Sequence, residues 1–340
     1  MQLGGTHQVT TIHKGYAIQV PVHRRGTRSL TGDLFYGDEL GQLACEAAGV
    51  MGLRWRKGSQ VLLSVGLGQN EPVGAGSVGE DLVNWLKANE HRLPDSELRQ
   101  LEKNFRADDN DARGIVEFFQ SVGRGEVPRE FGPGMEVAWC DGDELVSGIA
   151  ASLEKSHGAL VLSPTNHGTS EINYTSVLLD RGGGDMEVAN LGEFRTGERL
   201  LISKAGTAAR RAGLRNGDEV VVAADNDQGH NPNYHIQVLA RGKLVFVTMR
   251  EVRRASCRTG HGAQGMEADV VVIALIPSRL STRRWLYTAA SRARKKCILV
   301  CTREALKQCI ANNPKRRTLL PNLLDKAAAI FGFNGSTGPE

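Results

Sequence analysis

Two hydrophobic patterns alternate along the chain. The first mixes short apolar runs with segments of helical spacing. "SQVLLSVGL" (59–67) is a compact apolar run ending among glycines, the signature of a strand buried in a parallel sheet. "SVGEDLVNWLKANE" (77–90) starts on Ser, carries acids in its first turn and repeats apolar residues at helical spacing. "DDNDARGIVEFFQSVGRGEVP" (108–128) has an Asp/Asn-rich start, a helical body and a Gly/Pro stop. "ELVSGIAASLEKS" (144–156) reads as a further helix and "GALVLSP" (158–164) as the strand after it. Residues 1–40 show little periodicity and are expected to form loops around one or two short strands.

The second pattern occupies residues 194–256. "ERLLISKAG", "GDEVVVAADND", "HIQVLARG" and "KLVFVTMR" alternate or run apolar with turn signals between them, which predicts a small antiparallel barrel. The first pattern then resumes. "ADVVVIAL" (268–275) is a buried strand, a helix is expected around "RWLYTAASRARK" (284–295), "CILVCT" (297–302) is a strand and "REALKQCIANN" (303–313) a helix. The tail "FNGSTGPE" (333–340) is expected to be disordered. The fold class is therefore α/β, a parallel sheet with flanking helices interrupted by a small β insertion.

Composition narrows the class only modestly. With 340 residues, 40% hydrophobic and 24% charged, the chain has room for two domains with cores. No apolar run of membrane-spanning length occurs, so no membrane partner is expected, and the N-terminus lacks a signal-peptide pattern. Six scattered cysteines, with Cys297 and Cys301 flanking "ILV", read as buried thiols in a reducing, intracellular compartment, and no metal site stands out. Charge is more informative. Residues 241–340 hold 19 Lys and Arg against 6 Asp and Glu, so the overall +4 hides a basic C-terminal third over an acidic remainder. Such a region suits a phosphate-rich partner, whose counterions it would release.

The candidate chemistry concentrates in that basic third. "TGHGAQGMEADVVVIAL" (259–275) places Thr259, His261, Gln264, Gly265 and Glu267 in a polar loop just ahead of a buried strand, expected to be a sheet edge where ligands bind. "YTAASRAR" (287–294) follows closely. The first stretch resembles motif V of superfamily 1 helicases, particularly the RecD-like branch, and the second resembles motif VI. The resemblance implies that Thr259, His261 and Gln264 face a nucleic-acid backbone, that Gly265 allows close main-chain approach, and that Glu267 lies near the ribose of a bound nucleotide. It implies that Arg292 reaches across an interdomain cleft to a γ-phosphate, with Tyr287 packed nearby. A guanidinium held there opposes the charge that phosphoryl transfer builds on the equatorial oxygens, an effect of about 10³ to 10⁵ in rate.

Other segments follow in that family's order. "LEKNFR" (101–106) resembles motif IV, with Arg106 on phosphate, and "VLSPTNHGTSEIN" (161–173) resembles the start of the second motor lobe, with Asn173 near a helix start. "FRTGERLLI" and "LRNGDEVVV" resemble the inserted barrel, and Asn216-Gly217-Asp218 reads as a hairpin turn within it. "SVGLGQNEPVGAGS" (64–77) resembles motif III, with Leu67 where an Asp is usual and Gln69 as the γ-phosphate sensor. "ACEAAGV" (44–50) stands where the magnesium-binding acidic pair is expected, Cys45 replacing its Asp while Glu46 remains. "TTIH" (10–13) resembles the segment after motif Ia.

The implied architecture is RecA-like P-loop NTPase motor lobes, the second carrying a small SH3-like β-barrel. Residues 1–105 would form a partial first lobe, 106–193 and 257–322 the second, 194–256 the barrel and 323–340 a tail. ATP, Mg²⁺ and single-stranded DNA, or RNA, are the implied ligands. One element is missing. The phosphate-cradling G-x-x-x-x-G-K-[ST] loop (Walker A) does not occur in these residues, and the one Gly-Lys pair, Gly242-Lys243, is followed by Leu244 inside the barrel segment. Either another segment or chain supplies that loop, or the protein is a catalytically inactive single-strand-binding relative. A scaffold whose barrel binds protein partners is the third reading.

Overall fold

The computed structural model describes residues 34–52, 60–72, 74–92, 98–101, 110–140, 148–149, 159–180, 194, 196–224, 235–255, 257–260, 262–263, 266–316 and 318–330. The chain divides into two units: residues 1–103 with 314–340, and residues 104–313.

In the first unit, β1 (Leu34–Gly37) and β2 (Gln60–Leu63) pair in parallel, with Leu34 opposite Gln60 and Gly37 opposite Leu63. The helices Cys45–Gly52 and Val78–Asn89 belong to this unit. Ser77 and the acids Glu80 and Asp81 start the second of these, as the first-turn charge pattern predicts, because carboxylates favour the positive end of the helix dipole. A small core of Leu40, Leu43, Ala47 and Met51 joins the first helix to the strands. The chain returns to this unit at its end. The helix Leu320–Ile330 packs on Val78–Asn89, and Trp85 Nε1 donates to Asp325 Oδ1 at 2.7 Å. That helix runs through the boundary expected at 322, so the segment from 323 onwards is not a structureless tail up to Ile330. Residues 333–340 lie outside the described residues.

The second unit holds β3 (Met135–Trp139), β4 (Leu160–Ser163), β5 (Arg199–Ile202), β6 (Glu219–Val222), β7 (His235–Ala240), β8 (Lys243–Thr248), β9 (Val252–Arg254), β10 (Cys257–Thr259), β11 (Ala268–Ala274) and β12 (Ala293–Cys301). Five of them form an all-parallel sheet in the order β10-β4-β11-β12-β3. Its central strands are apolar over Val270–Ala274 and Cys297–Cys301, where both faces are covered. Val271, Ile273, Cys297, Leu299 and Cys301 face one side, against Ile115, Phe118, Phe119, Trp285, Leu286, Leu306 and Ile310 from the helices Arg113–Arg124, Arg283–Ala290 and Arg303–Ala311. Val272, Ala274, Ile298 and Val300 face the other, against Ile149 and Ile172. Burial of each large aliphatic chain is worth about 1.5 to 3 kcal/mol.

The helix boundaries follow from side-chain caps. Thr282 accepts from the Trp285 N–H at 3.1 Å and Thr302 from the Ala305 N–H at 3.0 Å, starting the two later helices. Gly125, at φ +85°, ends Arg113–Arg124 in the left-handed conformation. The expected helix around 284–295 is shorter than its sequence suggests. It stops at Ala290, and residues 293–296 already belong to β12, where Ala293 pairs with Ala268 and Lys296 with Val270. Sheet pairing overrides helical propensity here, and Arg294 and Lys295 both reach Asp269 on the neighbouring strand. Only Gly148 and Ile149 of the helix expected at 144–156 are described, and both are helical.

The insertion is an antiparallel five-stranded sheet in the order β8-β7-β6-β5-β9, with its own core of Leu200, Ile202, Val220, Val222, Ile236, Val238 and Val247. Gly242-Lys243 lies in the β7–β8 hairpin, where Arg241 (φ +50°) and Gly242 (φ +76°) make the two-residue turn that suits the strand twist. Asn216-Gly217-Asp218 is not a hairpin turn. The helix Thr207–Arg211 intervenes between β5 and β6, and residues 215–218 turn from it into β6, with the Asn216 carboxamide oxygen accepting from the Ala205 N–H at 2.7 Å. All six cysteines are unpaired thiols. Cys297 and Cys301 are buried on β12, as the C-x3-C strand reading predicts; Cys257 and Cys309 are buried too, Cys45 and Cys140 half-buried, and burial pushes the four buried thiols up to about 12.

Glu251 is the buried carboxylate on which the insertion closes. Its oxygens accept from the Thr248 N–H at 2.7 Å, the Thr248 hydroxyl at 3.0 Å and the Ala209 N–H at 3.4 Å, and it occupies the space a side chain at Gly206 would need. Burial opposes its ionisation, but these donors outweigh burial and hold its carboxyl below the usual range. Its stabilising contribution is therefore present above the unfolded-state value of about 4.3 and lost as pH falls through the lower folded-state value. Glu251→Ala is expected to cost about 1 to 3 kcal/mol at neutral pH. Urea unfolding of both proteins from pH 7 down to pH 3 should show the gap narrowing below about pH 4; a gap that widens on acidification would contradict this account.

Candidate functional site

In open α/β sheets ligands bind beyond the carboxyl ends of the strands, and the first unit has an acidic pair there. Asp38 and Glu39 directly follow β1. The Ser64 hydroxyl, at the end of β2, donates to Asp38 Oδ1, while the Ser64 N–H donates to the Gly37 carbonyl at 2.9 Å. Glu39 stands at φ +57°, ψ +39°, a left-handed conformation that a non-glycine residue adopts at a cost of about 1 to 2 kcal/mol. Such strain clusters at functional positions. The expected acidic site, Cys45-Glu46, is placed differently. Both residues lie in the first turn of Cys45–Gly52, not at a strand end, and Glu46 is exposed. The pair at the strand end is carried by "LFYGDE", where the β1 residues run straight into two acids.

β2 leaves through Val65-Gly66 into the loop that carries Gln69. The Gln69 side chain folds over Gly66: a β-carbon there would lie 2.6 Å from Gln69 Cδ and push that side chain aside. The loop continues through Glu71 to Gly76 and is fitted against the start of Cys45–Gly52. The Cys45 N–H donates to the Ala75 carbonyl at 2.9 Å, Gly76 (φ +89°) leaves the space that Cys45 Sγ fills, and Gly74 abuts Ala44. Cys45 is thus a packing residue of this loop. A residue that sequence reasoning did not find, Arg316, grips the loop from its open side. Its Nε donates to Glu71 Oε2 at 2.6 Å, and its guanidinium also bonds the Gly74 and Gly76 carbonyls.

In the second unit, the stretch 259–267 does not lie at one sheet edge. It runs from the carboxyl end of β10 to the amino end of β11. Thr259 therefore sits at one edge, opposite Ser163 of β4, and Glu267 at the other. The Thr259 hydroxyl accepts from the Gly262 N–H at 3.1 Å, shaping the loop from within. Glu267 is brought together with Arg292: Ala268 and Ala293 are register partners, and the Ala268 N–H donates to the Arg292 carbonyl at 3.1 Å. Arg292 occupies the turn between Arg283–Ala290 and β12 and is buried, with only 4% of its surface exposed. Tyr287 packs edge-on against Phe119 at 5.2 Å, which fixes the helix leading to that turn. Asn173 lies within the helix Asn166–Asp180. Its carboxamide accepts from the Cys257 N–H at 2.7 Å and donates to the Arg254 and Cys257 carbonyls, pinning the return from insertion to parallel sheet. Arg106, His261, Gln264 and Gly265 lie outside the described residues, as do residues 10–13.

Arg258 links this loop to the insertion. It is 3% exposed, its guanidinium meets Glu219 Oε2 of β6 at 2.6 Å and it touches Met266 Sδ at 3.2 Å. Glu219 also receives the more exposed Arg199. No group of three or more His, Cys, Asp or Glu among the described residues could hold a metal ion by itself, and no helix among them is long and apolar enough to cross a membrane.

These features agree with what the chain resembles. Residues 255–300 match the UvrD-like helicase C-terminal domain. The fold matches a structure of two coordinating Pif1 helicases at forked double-stranded DNA, with a TM-score of 0.54 and 16% identity over 95% of this chain and 83% of that one. It also matches Bacteroides Pif1 in complex with ADP-AlF3 and single-stranded DNA (TM-score 0.52, 15% identity, 95% and 84% covered) and Bacteroides Pif1 bound to single-stranded DNA (0.51, 15%, 95% and 84%). No curated protein matches the chain. The fold is shared with these Pif1 helicase structures, an α/β architecture with a parallel sheet and flanking helices.

Glu219→Ala would leave Arg258 buried without its carboxylate, a loss of about 3 to 5 kcal/mol, whereas Arg199→Ala at the exposed end of the same pair should cost at most about 1 kcal/mol. Urea unfolding of the two variants separates these values, and equal losses would show that Arg258 is satisfied in another way.

Proposed function

We propose that this chain is part of an ATP-dependent, Pif1- or RecD-like superfamily 1 motor that moves on single-stranded DNA. The observation that carries this reading is the acidic pair Asp38-Glu39 at the carboxyl end of β1, beside the strand leading to Gln69, within a helicase motor fold. Mg²⁺ usually keeps several waters and takes only one or two protein carboxylates besides the phosphates, so a pair at this position suits it. Bound there, the ion would neutralise phosphate charge. Ser64 holds Asp38 in place and the strained Glu39 backbone fixes the second carboxylate. Gln69 would sense the γ-phosphate, Arg292 would oppose charge developing on it, and Arg106, Gly265 and Glu267 would line the nucleotide. Thr259, His261 and Gln264 would follow the strand backbone, and the insertion would act as a small SH3-like barrel. The Walker A loop would come from another segment or chain. Glu46 and Cys45 have no part in this assignment.

A second reading is favoured by one sequence observation, the lack of a G-x-x-x-x-G-K-[ST] loop in these residues. Under it the chain is a helicase-derived single-strand-binding module without hydrolysis, for DNA or RNA.

The test is ATP hydrolysis by the purified chain with and without single-stranded DNA, beside Asp38→Asn and Arg292→Ala. With the segment or chain that supplies the Walker A loop present, strand-stimulated turnover that falls at least about 10³-fold in Arg292→Ala, with strand binding retained, is the expected result. Absence of turnover, with affinity for a DNA or RNA oligonucleotide that drops steeply with salt and ignores nucleotide, would establish the second reading instead.

A further inference from the structure

The last described segment of the chain, residues 314–330, is built as a strap over the Gln69 loop. Its two fastenings are both within the first unit. Arg316 bonds three acceptors of the Glu71–Gly76 loop, the Glu71 carboxylate and the carbonyls of Gly74 and Gly76. Asp325 receives the Trp85 indole N–H at 2.7 Å, where the helix Leu320–Ile330 packs on Val78–Asn89.

We infer that Arg316 is a positioning residue that sets the conformation of the Glu71–Gly76 loop, and through it the placement of Gln69. The loop needs such a device. It contains glycines at 74 and 76, one of them at φ +89°, so its backbone has more conformations to lose than an ordinary loop of its length. On one side it rests on Ala44 and Cys45, with a single backbone bond from Cys45. On the other, one guanidinium supplies every polar fastening described between the strap and residues 71–76. A planar fork with five donors can bond a carboxylate and two carbonyls at once, which the point charge of a lysine cannot reproduce. The Glu71–Arg316 pair is also partly shielded, with side-chain exposures of 13% and 30%, so it is screened less than a surface pair. Arg316 lies just after the point where the chain leaves the second unit at Asn313. The segment that fixes the Gln69 loop is therefore continuous in sequence with the helix Arg303–Ala311 of the other unit. The consequence for nucleotide sensing rests on the proposed function; the clamp does not.

The experiment uses the full chain with Arg316→Ala, Arg316→Lys and Glu71→Gln, read by amide hydrogen exchange and by single-stranded DNA affinity with and without ATP and Mg²⁺. In Arg316→Ala, exchange across residues 66–77 should rise at least about tenfold while β11 and β12 stay protected, which separates loop release from global unfolding. The nucleotide-dependent change in DNA affinity should disappear in the same variant. Arg316→Lys should restore less than half of the protection, since it retains charge but not the fork, and Glu71→Gln should fall between it and the parent. Unchanged exchange over residues 66–77 in Arg316→Ala would overturn the clamp. Raised exchange with an intact nucleotide response would overturn the positioning role. A parent protein that shows no nucleotide response, with the exchange result as expected, would leave the clamp standing and remove the motor reading on which its consequence depends.

Discussion

A parallel strand that is apolar on both faces can be buried only when something covers each face, and the second unit is organised by that requirement. β11 and β12 alternate Val271 and Ile273 to one side and Val272 and Ala274 to the other, so neither face tolerates water. The crossover helices that the parallel topology demands are the same helices that provide the cover. Their placement decides the chemistry. Arg283–Ala290 must end in time for the chain to enter β12 in register with β11, and that register sets Arg292 beside the residue that precedes Ala268. A slip of one residue would exchange the two faces and move Arg292 away from Glu267.

The insertion obeys a different constraint. Its antiparallel sheet has a separate core, so it could drift relative to the parallel sheet unless polar links held it. Asn173 and Arg258 are those links. Asn173 satisfies three backbone groups where the chain re-enters the sheet, and Arg258 projects from β10 to Glu219 of β6. A buried guanidinium is a costly choice for stability alone. Its direct contact with Met266 also ties the pair to the residues that lead into β11.

Much of this architecture was legible in the sequence because hydrophobic period is a local property. The buried strands at 268–274 and 297–301, the helix at 78–89 and the β-rich stretch from 199 to 254 could each be read from a window of a dozen residues. What was not legible depends on distant partners. "SRARKK" has helical propensity and becomes a strand because β11 pairs with it. "LFYGDE" is too short for periodicity to reveal, and its meaning appears only when β1 is seen to lie parallel to β2, with Ser64 on Asp38. Spacing along the chain aligned Cys45 with an acid of the resembling family, but could not show that its sulfur fills the gap over Gly76. Arg316 bonds a residue 245 positions away, and no local pattern could announce it.

The basic C-terminal third changes meaning in the same way. Its charge excess suggested a phosphate-rich partner, yet a good part of it is already answered within the protein. Arg241 pairs with Asp218, Arg254 with Glu198, Arg258 with Glu219, Lys296 with Glu136 and Arg316 with Glu71. In each case the acid comes from the acidic remainder of the chain, so folding brings the two oppositely charged parts together and the asymmetry in sequence overstates the field in space. The two exposed pairs, Arg241–Asp218 and Lys296–Glu136, contribute little stability, but all five cancel potential at a distance. The electrostatic argument for a nucleic-acid partner therefore rests on where exposed cations stand in the fold rather than on their number.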